Sequence, residues 1–246
     1  MNMRKILAVI ALMVVCATRV SAQNGYSINV SSKDSLPQIT KSARDFVLVQ
    51  FGYASWNKET SDTAKVNTKP FAYTFNAFLC YDFPIKKSKL SFAAGLGIST
   101  TSIYMDKQVL YTSDTGVGGY DANFMKDSIT GYKRYKFNTA YLQAPFELRY
   151  FSNINNRNKG FKAAIGLQVG TLLGAHTKGL RSVEGTNIKD KVSTKRYISP
   201  WNFAATARVG WGNFSIFGSY NLTNVFKDNA GPTLTPMSVG ICLTGL

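Results

Sequence analysis

Beyond its first two dozen residues the sequence has no apolar run of 18 or more, so no later segment can cross a bilayer as a helix. Histidine occurs once, at His176. The three cysteines, Cys16, Cys80 and Cys242, lie far apart in no spacing that matches a metal site. Acidic residues are few: 13 Asp and Glu stand against 29 Lys and Arg, so any partner must accept strong positive charge. Basic and aromatic residues do not gather into a patch that would read nucleic acid, and none is expected as a partner.

What is present begins with "MNMRKILAVIALMVVCATRVSAQ". Arg4 and Lys5 precede an apolar core from Ile6 to Ala17, and Val20-Ser21-Ala22 supplies small residues before a cut at Gln23. This is the pattern of a cleaved secretory signal peptide over residues 1–22. The rival, a lipoprotein signal using Cys16, meets Val15 where a small Gly or Ala belongs. Residues 23–43 read as a polar periplasmic lead-in, and residues 44–246 carry the fold.

Within 44–246 the dominant signal is strict alternation. "YLQAPFELRYF" (141–151) sets Leu142, Ala144, Phe146, Leu148 and Tyr150 against Gln143, Pro145, Glu147 and Arg149. Period two means a strand with one greasy and one polar face. The same pattern recurs at 44–56, 71–83, 90–105, from about 134 to 151, and at 160–176, 200–211, 213–226 and 235–246. That makes eight strands, each long enough to cross a bilayer at a tilt.

The connections alternate too. Long ones (57–70, 106–133, 179–195, 227–234) exchange with short ones (84–89, 152–159 and the turn at Gly212-Asn213). An up-and-down transmembrane barrel does this, with short periplasmic turns and longer outer loops. The minority face is mostly Gly, Ser, Ala, Thr, Asn and Gln, as the crowded lumen of a small barrel requires. Two aromatic girdles are expected: Tyr53, Trp56, Phe71, Tyr73, Tyr135, Phe137, Tyr197 and Trp201 at the outer rim, and Tyr81, Phe83, Tyr150, Phe151 and Trp211 at the inner. The expected fold is all-β, an eight-stranded antiparallel up-and-down transmembrane β-barrel. A secreted lipocalin-like barrel, greasy side inward, is the competing architecture.

Few residues carry chemistry. Asp82, Glu147, Arg149 and Arg208 fall on the lumen parity near the periplasmic ends of their strands. Buried charges need partners, so an ion-pair cluster plugging the barrel is expected, with a narrow pore for ions or small solutes as the alternative. Pro145 should mark a bulge or kink. Ser182 and Asp190 follow His176, but nothing fixes a catalytic geometry, and no enzyme activity, catalytic residue, cofactor or metal site is expected. Asp114, Asp121 and Asp127 lack the spacing of a calcium loop and read as part of a mobile glycine-rich surface segment. Cys80 and Cys242 fall two strand spacings apart, too far for a disulfide. Basic residues gather at the outer rim, among them Lys136, Lys178, Lys189 and Lys191, where lipopolysaccharide phosphates are the natural counter-charge beside the membrane lipid.

"LQAPFELRY", carried by Leu142, Pro145, Leu148, Arg149 and Tyr150, resembles the outer-membrane β-barrel family of Bacteroidetes that includes PorT-like proteins. The stretch "SYNLTNVFKDNAGPTLTPMSVGICL" (219–243) resembles that family's closing hairpin. The resemblance implies an integral outer-membrane protein of the cell envelope, exported through its signal peptide, with a structural, interaction or secretion-accessory role and other envelope or secretion proteins as partners.

Overall fold

The computed structural model describes residues 47–58, 66–85, 88–114, 120–128, 130–153 and 159–245. The expected signal peptide and lead-in lie outside these. In chain order the strands are β1 (Val47–Lys58), β2 (Tyr73–Pro84), β3 (Leu90–Met105), β4 (Gln108–Asp114), β5 (Tyr120–Lys126), β6 (Arg134–Phe151), β7 (Phe161–Val183), β8 (Thr186–Ser193), β9 (Trp201–Trp211), β10 (Phe214–Asn221) and β11 (Leu234–Thr244). Eight of them run antiparallel in the order β6-β3-β2-β1-β11-β10-β9-β7, and β7 pairs back to β6, closing an eight-stranded barrel. Closure leaves no open edge around the barrel.

Alternation dictates which way each side chain points. Along β6, Tyr141, Gln143, Pro145, Glu147, Arg149 and Phe151 are buried inside, while Phe146, Leu148 and Tyr150 are exposed outside. The outer surface is a belt of exposed apolar residues, including Phe51, Leu79, Leu96, Ile98, Leu167, Phe203, Ile216 and Val239. An apolar band this wide, on a barrel filled with polar groups, is a surface made for lipid. The lipocalin-like alternative requires the opposite polarity.

Glycines let neighbouring side chains press against the wall. A Cβ at Gly97 would stand 2.1 Å from the Ala77 carbonyl oxygen and 2.5 Å from the Phe78 ring. Only the bare backbone of β3 leaves room there.

Four expectations need correction. Pro145 makes no bulge: it stays in register opposite Gln168. Lacking an N–H, it merely interrupts the β3–β6 ladder, which runs in one register from Ala94↔Phe146 to Gly97↔Gln143. The bulge lies further along, where Ala140↔Gly174 gives way to Tyr141↔Leu172, so that Leu173 is the extra residue on β7.

The long connections are also more than surface loops. β4 and β5 form a hairpin, β8 extends from β7, and strand β7 itself runs well past the barrel wall. The hairpin buries Val109, Ala122 and Phe124. Its glycine-rich tip, 115–119, lies outside the described residues.

Finally, the outer girdle is half of what was expected. Tyr53, Phe71 and Trp201 face out, but Trp56, Tyr135, Phe137 and Tyr197 are buried. At the other rim Phe151 also turns in. Parity explains the inward turn of Trp56, Tyr135, Phe137 and Phe151: each sits an odd number of positions from an outward neighbour on its own strand.

Candidate functional site: a stoppered lumen

From the long-loop end to the short-turn end, the lumen has three levels. The first is apolar. Trp56 and Phe137 meet at 5.8 Å between ring centroids, Trp56 and Phe124 at 5.9 Å, Phe124 and Phe226 at 6.0 Å, and Phe137 and Phe226 at 6.1 Å. Ile103, Met105, Tyr197, Ile198 and Leu234 complete the cluster. The β4–β5 hairpin is tied down by Ala122 N–H donating to the Ala230 carbonyl at 3.0 Å. Well-packed aromatic pairs add about 0.5–1.5 kcal/mol each beyond their burial, so this lid is a firm one.

Below it lies a cavity of about 50 Å³, lined by Thr74, Asn76, Ser99, Gln143, Gln168 and Asn202 and, on the lid side, by Trp56, Ile103 and Phe137. At roughly 10–15 Å³ each, it has room for a few waters. Its walls are already cross-linked. Asn76 Nδ2 donates to Gln50 Oε1 at 2.9 Å, Ser99 Oγ to Asn76 Oδ1 at 2.7 Å, and Gln143 Nε2 to Asn202 Oδ1 at 2.8 Å.

The third level holds the charges. Arg149 Nε donates to Glu147 Oε2 at 2.7 Å, and Arg149 Nη1 to Asp82 Oδ1 at 3.2 Å. Arg208 Nη2 donates to the same Glu147 oxygen at 2.9 Å. The four therefore form one chain with Glu147 as its hub. All are buried, Arg149 to 1 % exposure. Ser91 Oγ adds a contact to Asp82 at 3.3 Å, and Cys242 Sγ lies 3.9 Å from Arg208 Nη1. Cys80 and Cys242 are both buried free thiols, in one apolar cluster with Leu48, Phe78 and Phe217.

Lys162, which alternation puts on the lumen face but which the expected charge cluster leaves out, also belongs to this end of the lumen. It is buried, its Nζ donates to Thr244 Oγ1 at 3.2 Å and lies 5.8 Å from the centre of the Phe151 ring. Its parity, shared with Ala164 and Gly166, was the available signal.

The remaining candidates lie elsewhere and apart. Asp190 accepts from the Tyr132 hydroxyl at 2.9 Å and pairs with Arg181 at 3.0 Å. His176 is opposite Ser193 on the other side of the sheet, and Ser182 opposite Asn187 near the hairpin tip. Asp127 organises the loop before β6: it accepts from the backbone N–H groups of Thr130, Gly131 and Tyr132 and from the Thr130 hydroxyl. Burial alone would raise its carboxyl, but these donors outweigh that and hold it below the usual range. Burial, and then the Asp190 carboxylate, push the Tyr132 hydroxyl up to about 12. Asp114 and Asp121 sit on the facing strands of the hairpin, one step apart in register. Among the described residues no three His, Cys, Asp or Glu side chains converge as metal ligands.

A closed barrel with a lipid-facing belt and an interior that buries polar and charged side chains defines a class, the transmembrane β-barrels. Residues 23–227 match the family of the outer membrane protein beta-barrel domain, and the chain belongs to that family. No curated protein and no solved structure matches it. It is an integral outer-membrane barrel.

Proposed function

We propose that this barrel is a closed, non-conducting and non-catalytic membrane anchor that acts through its rims, in a structural, interaction or secretion-accessory role of the PorT-like kind. One observation carries the reading: the lumen is stopped twice, by the aromatic lid and by the Asp82–Arg149–Glu147–Arg208 chain. An eight-stranded barrel has little lumen to begin with, and the cavity between the stoppers is only about 50 Å³. Purified barrel in a planar lipid bilayer should give no discrete conductance steps. Reproducible steps would establish the narrow pore instead. Export through a signal peptide cut before Gln23 belongs to the same reading, and envelope or secretion proteins are the partners it calls for. Crosslinking in the native membrane followed by co-purification would identify them.

The orientation follows from connection length, with short turns periplasmic and long loops outside. Lysine-directed labelling of intact cells should mark Lys107 and Lys126 at the long-loop end and spare Lys89 and Lys159 at the short-turn end, all four being exposed. The reverse pattern would invert the barrel.

A further inference from the structure

The outer face of the long-loop end carries a row of like charges that the fold goes out of its way to assemble. Lys136 on β6 is directly opposite Lys178 on β7, and Lys178 is directly opposite Lys191 on β8. Paired residues on neighbouring antiparallel strands lie about 5 Å apart, and like charges placed so are destabilising. Continued alternation from Lys162, Ala164 and Gln168 would put Lys178 inside the barrel. The extra residue at Leu173 reverses the parity of β7, so that Ala175 and Thr177 are buried and Lys178 is exposed outside. Bulges serve to re-aim side chains in this way.

No described carboxylate lies within ion-pair distance of these three lysines. The one acid of β8, Asp190, points to the opposite face, where it holds Tyr132 and Arg181. On the fourth side Lys136 Nζ lies 5.9 Å from the centre of the Tyr73 ring and 5.7 Å from that of Tyr104. Climbing β6 from Tyr150 to Lys136 covers roughly 35 Å of height at the usual rise and tilt, above an apolar band about 25 Å tall. The row therefore stands at headgroup level, on the surface that faces lipid.

We infer that the lysine ladder Lys136–Lys178–Lys191 is a binding site for the phosphate of an outer-leaflet glycolipid, with Tyr73 and Tyr104 flanking its headgroup. A phosphate is small enough to be shared by three ammonium groups and relieves their mutual repulsion. The acyl chains would run down the apolar belt below. The inference rests on the membrane-barrel reading and its orientation, but not on whether the lumen conducts, so the bilayer experiment and this one fail independently.

The test uses the full chain folded in detergent, titrated by native mass spectrometry with a phosphorylated glycolipid, its dephosphorylated counterpart, and inorganic phosphate. Changing Lys136, Lys178 and Lys191 together to Gln should weaken the phosphorylated lipid roughly a hundredfold, at about one kcal/mol per lysine. Changing Lys107, Lys126 and Lys195 to Gln should leave it unchanged. The ladder variant should also fold, since it loses repulsion, and heat-modifiable gel mobility checks that. The phosphorylated lipid should raise the thermal midpoint of the wild type and not of the ladder variant. Equal loss in both triple variants, or equal binding of the dephosphorylated lipid, would overturn the site. Competition by inorganic phosphate at matching concentration would overturn the lipid assignment in favour of a small-anion site.

Discussion

Glu147→Ala should destabilise the barrel by roughly 3–5 kcal/mol, the usual cost of stranding a buried charge partner. The reason is its position as hub. Its Oε2 takes both Arg149 Nε and Arg208 Nη2, so removing it leaves two buried guanidinium groups facing Asp82 alone. Removing Glu147 and Arg208 together leaves Asp82 and Arg149, still a neutral pair at 3.2 Å. The double variant should therefore lose less than the two single changes added, a coupling that a double-mutant cycle reads directly. Urea unfolding from lipid vesicles, followed by fluorescence of Trp56, Trp201 and Trp211, would measure it. Additive losses would mean that the charges are solvated separately, as in an open pore, and would undo the stopper.

How far the sequence could be read depends on which physics each feature obeys. Alternation is local, so the eight strands, their faces and the inward charges of Asp82, Glu147, Arg149 and Arg208 were legible from spacing alone. The inward turn of Trp56 was equally legible, since it lies on the parity of Ala54 rather than of Tyr53. Grouping aromatics by strand end, without their parity, put it in the wrong place. The address of Lys178 was not legible. It depends on one inserted residue, Leu173, in a run of "TLLGAH" that has no signal of its own. The inward fold of the β4–β5 hairpin was hidden for another reason. Val109, Ala122 and Phe124 are too few to announce a buried surface, and what they bury against, Phe226 and Trp56, is distant in sequence. The sharing of Glu147 by two arginines likewise depends on side-chain reach across the lumen, which strand register does not determine.

The outer face offers the second large effect. Leu96→Arg should cost about 2–4 kcal/mol, the price of an arginine at the bilayer midplane. Leu96 is 55 % exposed and sits opposite Leu79, which is 60 % exposed, with Ile98 beside it on the same face. From Leu90 the tilted strand climbs roughly 15 Å to reach it, about half the height of the apolar band. Depth is what makes the experiment decisive. Thr171, exposed on the outside of β7 at the level of Trp201, lies near the outer boundary, where an arginine should cost only about 0–1 kcal/mol. Were the barrel water-soluble with a greasy exterior, both substitutions would be ordinary surface changes, within about 0.5 kcal/mol of neutral. A lumen control separates face from depth. Ser99→Ala removes the 2.7 Å hydrogen bond to Asn76 and should cost about 0.5–1.5 kcal/mol, whatever surrounds the barrel. Only a hydrocarbon layer centred near Leu96 gives a large loss at Leu96, a small one at Thr171 and a solvent-independent one at Ser99.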